Sequence, residues 1–273
     1  PAEENAVADI IVKETDLSEL SSIPEYMHTV SENAVCLNYP CAGYFRISNG
    51  NLIEIDLNEE CTNEMYGLYL LGSCMGAILH ERNLLPIHGS CVTDGKHSII
   101  ISGDSGAGKS TLASEFLKRG WKLVTDDVSL IKNITESPVV QSSYPSQKLW
   151  KDSMENYQSE DRTYHTLYQR QDREKFGVSV INSFYKGTAP LSIFVQLYKG
   201  RNETSVEPLF GFDCVDRILK NTYRDYFISP NRRNRYFQDC INLSQKISML
   251  CAVRQVGIPT QELLYEKITS YLN

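Results

Sequence analysis

Residues 103–110 run Gly103-Asp104-Ser105-Gly106-Ala107-Gly108-Lys109-Ser110, meeting the pattern G-x-x-x-x-G-K-[ST] at every fixed position. Glycines at this spacing let consecutive backbone N–H groups turn inward on phosphate oxygens. A following helix N-terminus adds partial positive charge. Lys109 supplies a mobile ammonium for the outer phosphates, and the Ser110 hydroxyl is a hard oxygen ligand for Mg²⁺. Residues 103–111, Thr111 included, are therefore the candidate nucleotide-binding run. Downstream, Trp121-Lys122-Leu123-Val124-Thr125-Asp126-Asp127 ends an apolar run in two carboxylates, as strands carrying Mg²⁺ ligands in phosphate-loop proteins do. On a strand these two would point opposite ways, one toward the metal and one elsewhere. His88 lies one hairpin upstream of the loop; taken alone, a single His is more often a satisfied core residue than a catalyst.

The flanks supply what such a loop needs. Ser98-Ile99-Ile100-Ile101-Ser102 reads as a strand, residues 111–119 as a helix, and Gly120 is placed to end it. Before this, residues 1–62 read as a small β-rich region. Strands are expected at 8–12, 43–47 and 52–57, with an Asn49-Gly50 hairpin turn between the last two. Residues 63–82 read as one helix, which sets the expected division into an N-terminal region at 1–82 and a catalytic domain at 83–273. Strands are expected at 128–131 and 193–198. Residues 155–175, rich in charge, Tyr and Gln, read as a surface excursion or mobile lid. The last third reads as helical, from apolar residues spaced by three and four at 212–227 and 236–250, and from a final helix after Thr260 as N-cap. Arg232, Arg233 and Arg235 stand beside a helix start. There they could hold a phosphate or an acidic peptide, or form a solvated helix end.

Apolar residues make up 41% and charged residues 22% of the 273, a balance that buries a sizeable core. The formal net charge of −7 and a pI near 5.3 argue against general binding to nucleic acid or membranes. Eight cysteines without Cys-x-x-Cys spacing suit reduced, mostly buried thiols in a cytoplasmic protein rather than zinc ligands. The acidic, polar start does not read as a signal peptide, and no apolar run approaches 18 residues. The chain begins at Pro1 rather than Met, which suggests removal of a residue or tag.

Taken together, Ile87-His88-Gly89-Ser90, residues 103–110 and residues 120–127 resemble the HPr serine kinase family in order and spacing. The resemblance is strong over 85–131. It continues more weakly through Lys148-Leu149-Trp150 and Asn221-Thr222-Tyr223-Arg224, which look more like the HPr-kinase-related peptide serine kinases of lasso-peptide pathways. The resemblance implies an α/β phosphate-loop kinase domain of the HPr kinase and phosphoenolpyruvate carboxykinase type. A small β-rich N-terminal region and a helical C-terminal part would flank it. It further implies that His88 pairs with Asp126 to activate a serine hydroxyl, that Asp127 and Ser110 hold Mg²⁺, and that Lys109 neutralises the transferred phosphoryl group. ATP and Mg²⁺ are the implied cofactors, and the related kinases often form multimers, which extends to a homo-oligomer here. One feature departs from the bifunctional family members: their glycine-rich signature, similar to Glu-x-Arg-Gly-x-Gly, is not found between 132 and 190.

The expected activity is thus transfer of phosphate from ATP to a serine of a ribosomal, lasso-type precursor peptide. The basic segments around Lys148, Lys151 and residues 232–235 suit a carboxylate or phosphate on that substrate. Three alternatives stay open: HPr as acceptor, a small hydroxyl metabolite such as free serine, and a nucleotide-binding module without transferase activity.

Overall fold

The computed structural model describes residues 8–150, 164–170, 173–201 and 203–272. Near its start, strands β1 (Ile11–Glu14), β2 (His28–Val30), β3 (Ala34–Tyr39), β4 (Gly43–Ser48) and β5 (Leu52–Leu57) form one sheet in the order β1-β5-β4-β3-β2. Asn49 and Gly50 take φ of +58° and +65°, the paired left-handed geometry of the tightest hairpin turns, so the expected turn joins β4 to β5. Side chains alternate along β4, and the buried set Val35, Leu37, Phe45, Ile47, Ile53 and Ile55 faces Cys74, Ala77 and Ile78. β1 lies slightly later than the expected 8–12 and pairs parallel to β5.

The single helix expected at 63–82 is interrupted. Thr62 Oγ1 accepts the Met65 N–H and caps α1 (Asn63–Tyr69). A π-helical turn, Leu70–Cys74, follows, and then α2 (Met75–Glu81). The wider turn shifts the helical phase. Cys74, Ala77 and Ile78 are thereby buried, whereas Leu68 and Leu71 stay 68% and 74% exposed. At the end of α2, Glu81 Oε2 accepts the Gly50 N–H at 2.6 Å. Burial pushes the Glu81 carboxyl above its ordinary range, against the opposing pull of the Gly50 N–H and Arg232. A carboxyl raised on folding holds its proton more tightly in the native state. Its contribution therefore favours folding at low pH and is lost as pH rises through the folded pKa. Glu81→Gln keeps an acceptor for Gly50, so it should raise stability at neutral pH and flatten the fall in stability above about pH 4. Urea melts across pH 4–8 test this; an unchanged pH profile would contradict it.

The chain divides into two units: Pro1–Leu85 with Arg224–Phe237, and Pro86–Tyr223 with Gln238–Asn273. The second is built on an eight-stranded sheet. Its strands are β6 (Leu85–Thr93), β7 (Ser98–Ser102), β8 (Lys122–Thr125), β9 (Val128–Lys132), β10 (Val139–Gln141), β14 (Thr188–Gly200), β15 (Ser205–Pro208) and β16 (Ser248–Gln255). The main path is β10-β9-β6-β7-β14-β16-β15, with β8 paired to β6. β7, β14 and β16 are parallel neighbours. Helix α3 (Lys109–Lys118) follows β7. The core carries Ile99, Ile101, Val195, Leu197, Leu250 and Ala252 from the strands, and Leu112, Phe116, Leu264 and Ile268 from α3 and the last helix.

Residues 146–179 contain a further three-stranded antiparallel sheet: β11 (Ser146–Trp150), β12 (Tyr164–Arg170) and β13 (Arg173–Ser179), in the order β11-β13-β12. Of the excursion expected at 155–175, residues 155–163, 171 and 172 lie outside the described residues; the rest is strand.

The helical C-terminal part needs correction. Helices α4 (Phe212–Lys220), α5 (Arg233–Ser244) and α6 (Gln261–Thr269) are present, but the second apolar run does not continue as helix through Leu250. Residues 248–255 are strand β16, paired along its length with β14. A strand buried by neighbours shows a nearly continuous apolar run instead of alternation, which periodicity alone does not separate from a helix. α4 also stops before Tyr223. The Asn221 side chain donates back to the Arg217 carbonyl at 2.7 Å, and Thr222 bridges to Ile87 on β6. Thr260 does precede α6, though without a side-chain cap bond.

Candidate active site

All five residues of β7 are buried, which makes the strand a fixed stem for the loop that follows. Gly108, with φ of +106°, stands at the cap of α3. Lys109 Nζ donates to the Gly103 carbonyl at 2.7 Å and to that of Asp104 at 3.2 Å, folding the ammonium over the loop. Gln147, fully buried, holds the first turns of α3. Its amide donates to the Ser110 carbonyl at 2.9 Å, and its Oε1 accepts from Ser114 Oγ at 3.0 Å.

The acid pair is reached from the same strand, β11. The Lys148 backbone N–H donates to Asp126 Oδ2 at 2.7 Å, and Lys148 Nζ donates to Asp127 Oδ2 at 2.6 Å. The two acids do not continue β8. They form the turn between β8 and β9, with Asp127 at φ of +78°. The strand alternation expected of the pair therefore does not apply: both acids sit in the reversal, Asp126 on the Lys148 backbone amide and Asp127 on its ammonium. Asp126, 6% exposed, also accepts a short hydrogen bond from Ser90 Oγ. The Asp127 carbonyl accepts the Gly89 N–H at 3.0 Å. His88, on β6, has Nδ1 3.7 Å from Asp127 Oδ1, and its ring stacks on Tyr223 at 6.4 Å between centroids. Its strand is held by the Asn221 carbonyl, which accepts the His88 N–H at 2.7 Å. Asn221 Nδ2 in turn donates to Gln196 Oε1 at 2.5 Å.

Among the residues named from sequence, the second unit thus brings His88, Asp126, Asp127 and Lys148 into one hydrogen-bonded and ionic cluster. Lys148, expected at the substrate, contacts both acids. Arg232, Arg233 and Arg235 lie in the first unit, on a 3₁₀ turn at Pro230–Arg232 and the start of α5. Lys151 lies outside the described residues. The sequence assigns no role to Ser90 and Asn221, although both stand in the resembling segments, nor to Gln147. Ser90 adjoins the His-Gly pair and Gln147 adjoins Lys148, but no spacing marks either, because their partners lie 36 and 37 residues away.

The half-buried Lys148 ammonium stays cationic. Burial opposes its charge, and Asp127 with its neighbours more than offsets that, raising the pKa above the ordinary lysine value. Were Asp127 to hold a divalent ion, as the family resemblance implies, the ion would share that carboxylate with the ammonium. Lys148→Met would then tighten Mn²⁺ binding in the absence of nucleotide by about twofold to fivefold, the size of a partly exposed ion pair. Electron paramagnetic resonance titration reads this directly; weaker binding would show that Lys148 supports the metal site instead of competing with it. None of the eight free cysteines enters the cluster through a described contact, and burial pushes the Cys74 and Cys240 thiols up to about 12. Among the described residues no helix is long and apolar enough to cross a membrane.

Residues 82–155, which span β6, the loop, α3 and the acid pair, match the family model "HPr Serine kinase C-terminal domain". This segment is HPr-kinase-like. An HPr kinase/phosphorylase of Lachnoclostridium phytofermentans is 43% identical over 56 residues, 20% of this chain and 18% of that protein. One of Clostridium beijerinckii is 50% identical over 48 residues, 18% and 16%. The chain therefore spans about a fifth of the length of the curated relatives it matches. A solved Hpr(Ser) kinase/phosphatase from Coxiella burnetii aligns over 68% of this chain and 89% of that one, at 12% identity and a TM-score of 0.36. The HPr-kinase-like segment contains the whole loop, both acids, His88 and Lys148.

Proposed function

We propose that this chain is an ATP- and Mg²⁺-dependent serine kinase. The observation that carries the reading is the double anchorage of β11. Adjacent residues Gln147 and Lys148 tie the first turn of α3 and the two carboxylates to one strand. Loop and acids so joined make a phosphoryl-transfer site rather than a glycine turn with separate surface acids. The HPr-kinase-like segment at 82–155 supports the same reading, together with the phosphate-loop domain type related to phosphoenolpyruvate carboxykinase. A cytoplasmic, homo-oligomeric protein goes with it.

In this reading residues 103–111 receive the nucleotide, with loop amides and Lys109 offsetting phosphate charge. Asp126, held by Ser90 and the Lys148 amide, and His88 take the proton of the attacking hydroxyl. A new O–P bond then forms as the bond to the β-phosphate oxygen breaks, and ADP leaves. The donor set fits Mg²⁺. One hydroxyl, Ser110, and one carboxylate, Asp127, are hard oxygens, and Mg²⁺ is usually held by one or two carboxylates with water and substrate phosphates completing the shell. Among the described residues no cluster of three or more His, Cys, Asp or Glu offers a self-sufficient cage, which suits an ion delivered with nucleotide. Bound there, it would neutralise charge on the transferred group.

The acceptor we assign is a serine of a ribosomal, lasso-type precursor peptide, with Arg232, Arg233 and Arg235 as anion contacts. The absence of the glycine-rich signature between 132 and 190 weighs against HPr, the acceptor suggested by the relatives' names. Mass spectrometry of a candidate precursor peptide and of HPr, each incubated with the protein, ATP and Mg²⁺, separates the two. One added phosphate on a peptide serine supports the assignment; phosphate on HPr alone replaces it. No product with either, alongside retained ATP binding, moves the reading to a metabolite kinase or a non-catalytic module.

A further inference from the structure

Two cations at the loop have no part in the chemistry above. β14 and β16 run parallel in register, and the pairing sets Lys199 opposite Arg254. Both stand at the carboxyl ends of their strands. The loop leaves parallel neighbour β7 at that same edge, where open parallel sheets bind ligands. Arg254 reaches across to the loop, its Nε donating to the Ala107 carbonyl at 2.5 Å. A methyl group in place of a Gly108 hydrogen would lie 3.0 Å from Arg254 Nε, and one on Gly106 would lie 3.3 Å from Lys199 Nζ. The two cations thus line the loop over three consecutive residues.

Neither has an acidic partner among the described residues. Among the described residues no carboxylate lies within 4.0 Å of Lys199 or Arg254, whereas Arg46, Arg82, Arg119 and Lys148 are all ion-paired. Arg254 Nη1 and Nη2 make no hydrogen bond to a described residue. Two like charges held side by side repel one another, and an anion between them reverses the sign of that interaction. The planar guanidinium fork suits two oxygens of one phosphate, and the exposed ammonium adds a movable point charge.

We propose that Lys199 and Arg254 form a second phosphate-contacting pair. It takes the phosphoryl chain of the nucleotide from the sheet side of the loop, in addition to Lys109. The proposal rests on the nucleotide-binding reading above and names the residues that complete its phosphate site. A sequence-local search misses them, since they lie about 90 and 145 residues beyond the loop and converge only through parallel strand pairing.

Calorimetry at two salt concentrations tests it, with wild type, Lys199→Met and Arg254→Met titrated with Mg·ATP, ADP and inorganic tripolyphosphate. Each variant should lose roughly tenfold in affinity for all three ligands and show a shallower salt dependence. Lys199 is exposed and makes no hydrogen bond to a described residue, so its variant should keep the wild-type melting temperature and remain informative if Arg254→Met unfolds. Unchanged tripolyphosphate affinity in Lys199→Met overturns the proposal. Loss for the nucleotides alone overturns it as well, in favour of a nucleoside contact. Failure of wild type to bind any of the three ligands removes the nucleotide reading itself, and is seen before any variant is compared.

Discussion

Asp126→Asn should lower phosphoryl transfer by about 10²–10⁴-fold, the range for loss of a positioned general base, with nucleotide affinity near wild type. The geometry makes this a clean exchange. Asp126 Oδ2 accepts the Lys148 N–H and Oδ1 accepts from Ser90 Oγ. An asparagine can keep its carbonyl oxygen on the Lys148 amide and present its NH₂ to Ser90, whose hydroxyl rotates to accept. Packing at this 6% exposed position is preserved because the two side chains match in shape, so the melting temperature should change little. Single-turnover transfer from labelled ATP, with calorimetry on the same preparation, checks both halves. Retained transfer would take Asp126 out of the proton-accepting role and turn attention to His88 and Asp127, whose Nδ1 and Oδ1 lie 3.7 Å apart.

The second large effect belongs to the loop backbone. Gly103 takes φ of +145°, and a Cβ there would overlap the Leu197 carbonyl oxygen on β14. Gly103→Ala therefore combines a backbone conformation closed to L-residues with a collision against a central strand. Each costs roughly 1–3 kcal/mol. Together they should destabilise the protein by about 2–6 kcal/mol and lower the melting temperature by roughly 5–20 °C. Relief requires the loop to move away from β14, which displaces the carbonyl that Lys109 Nζ contacts and weakens nucleotide binding. Thermal unfolding with and without Mg·ATP reads both effects. A wild-type melt with wild-type nucleotide stabilisation would mean that the loop does not approach β14 this closely.

The contrast between these two sites shows how much was legible in the chain. The loop is a local device: eight consecutive residues supply its turns, its amides and its lysine, and the strand and helix flanking it are contiguous in sequence. Spacing alone could find it. The Asn49-Gly50 turn was legible for the same reason. Asp126 and Asp127 were legible as acids after a strand but not as a turn. Asp127 takes its positive φ in a reversal whose carbonyl is bonded by Gly89, 38 residues earlier.

Strand β16 escapes a reading by periodicity because Met249, Leu250 and Ala252 are buried and Cys251 and Val253 half-buried, so apolar residues fall on both faces and blur the alternation that would mark a strand. α4 stops short of the apolar run that extends to Phe227 because the residues after Lys220 are claimed by β6, an interaction with no local signal. The π-helical turn at Leu70–Cys74 likewise answers to the sheet it packs on.

The sequence by itself determined the chemistry on offer: a loop with the phosphate-binding pattern, a pair of hard carboxylates, a histidine one hairpin upstream, and the HPr-kinase-like segment that contains them all. Each is a matter of residue type at short spacing. Tertiary structure alone decided which of these groups touch. It set Lys148 on both acids, Gln147 beneath Ser110, Ser90 on Asp126, and Lys199 and Arg254 beside the loop. Those contacts depend on strand order and register, which bring residues 20 to 150 positions apart within hydrogen-bond reach, and no short stretch of chain carries that information.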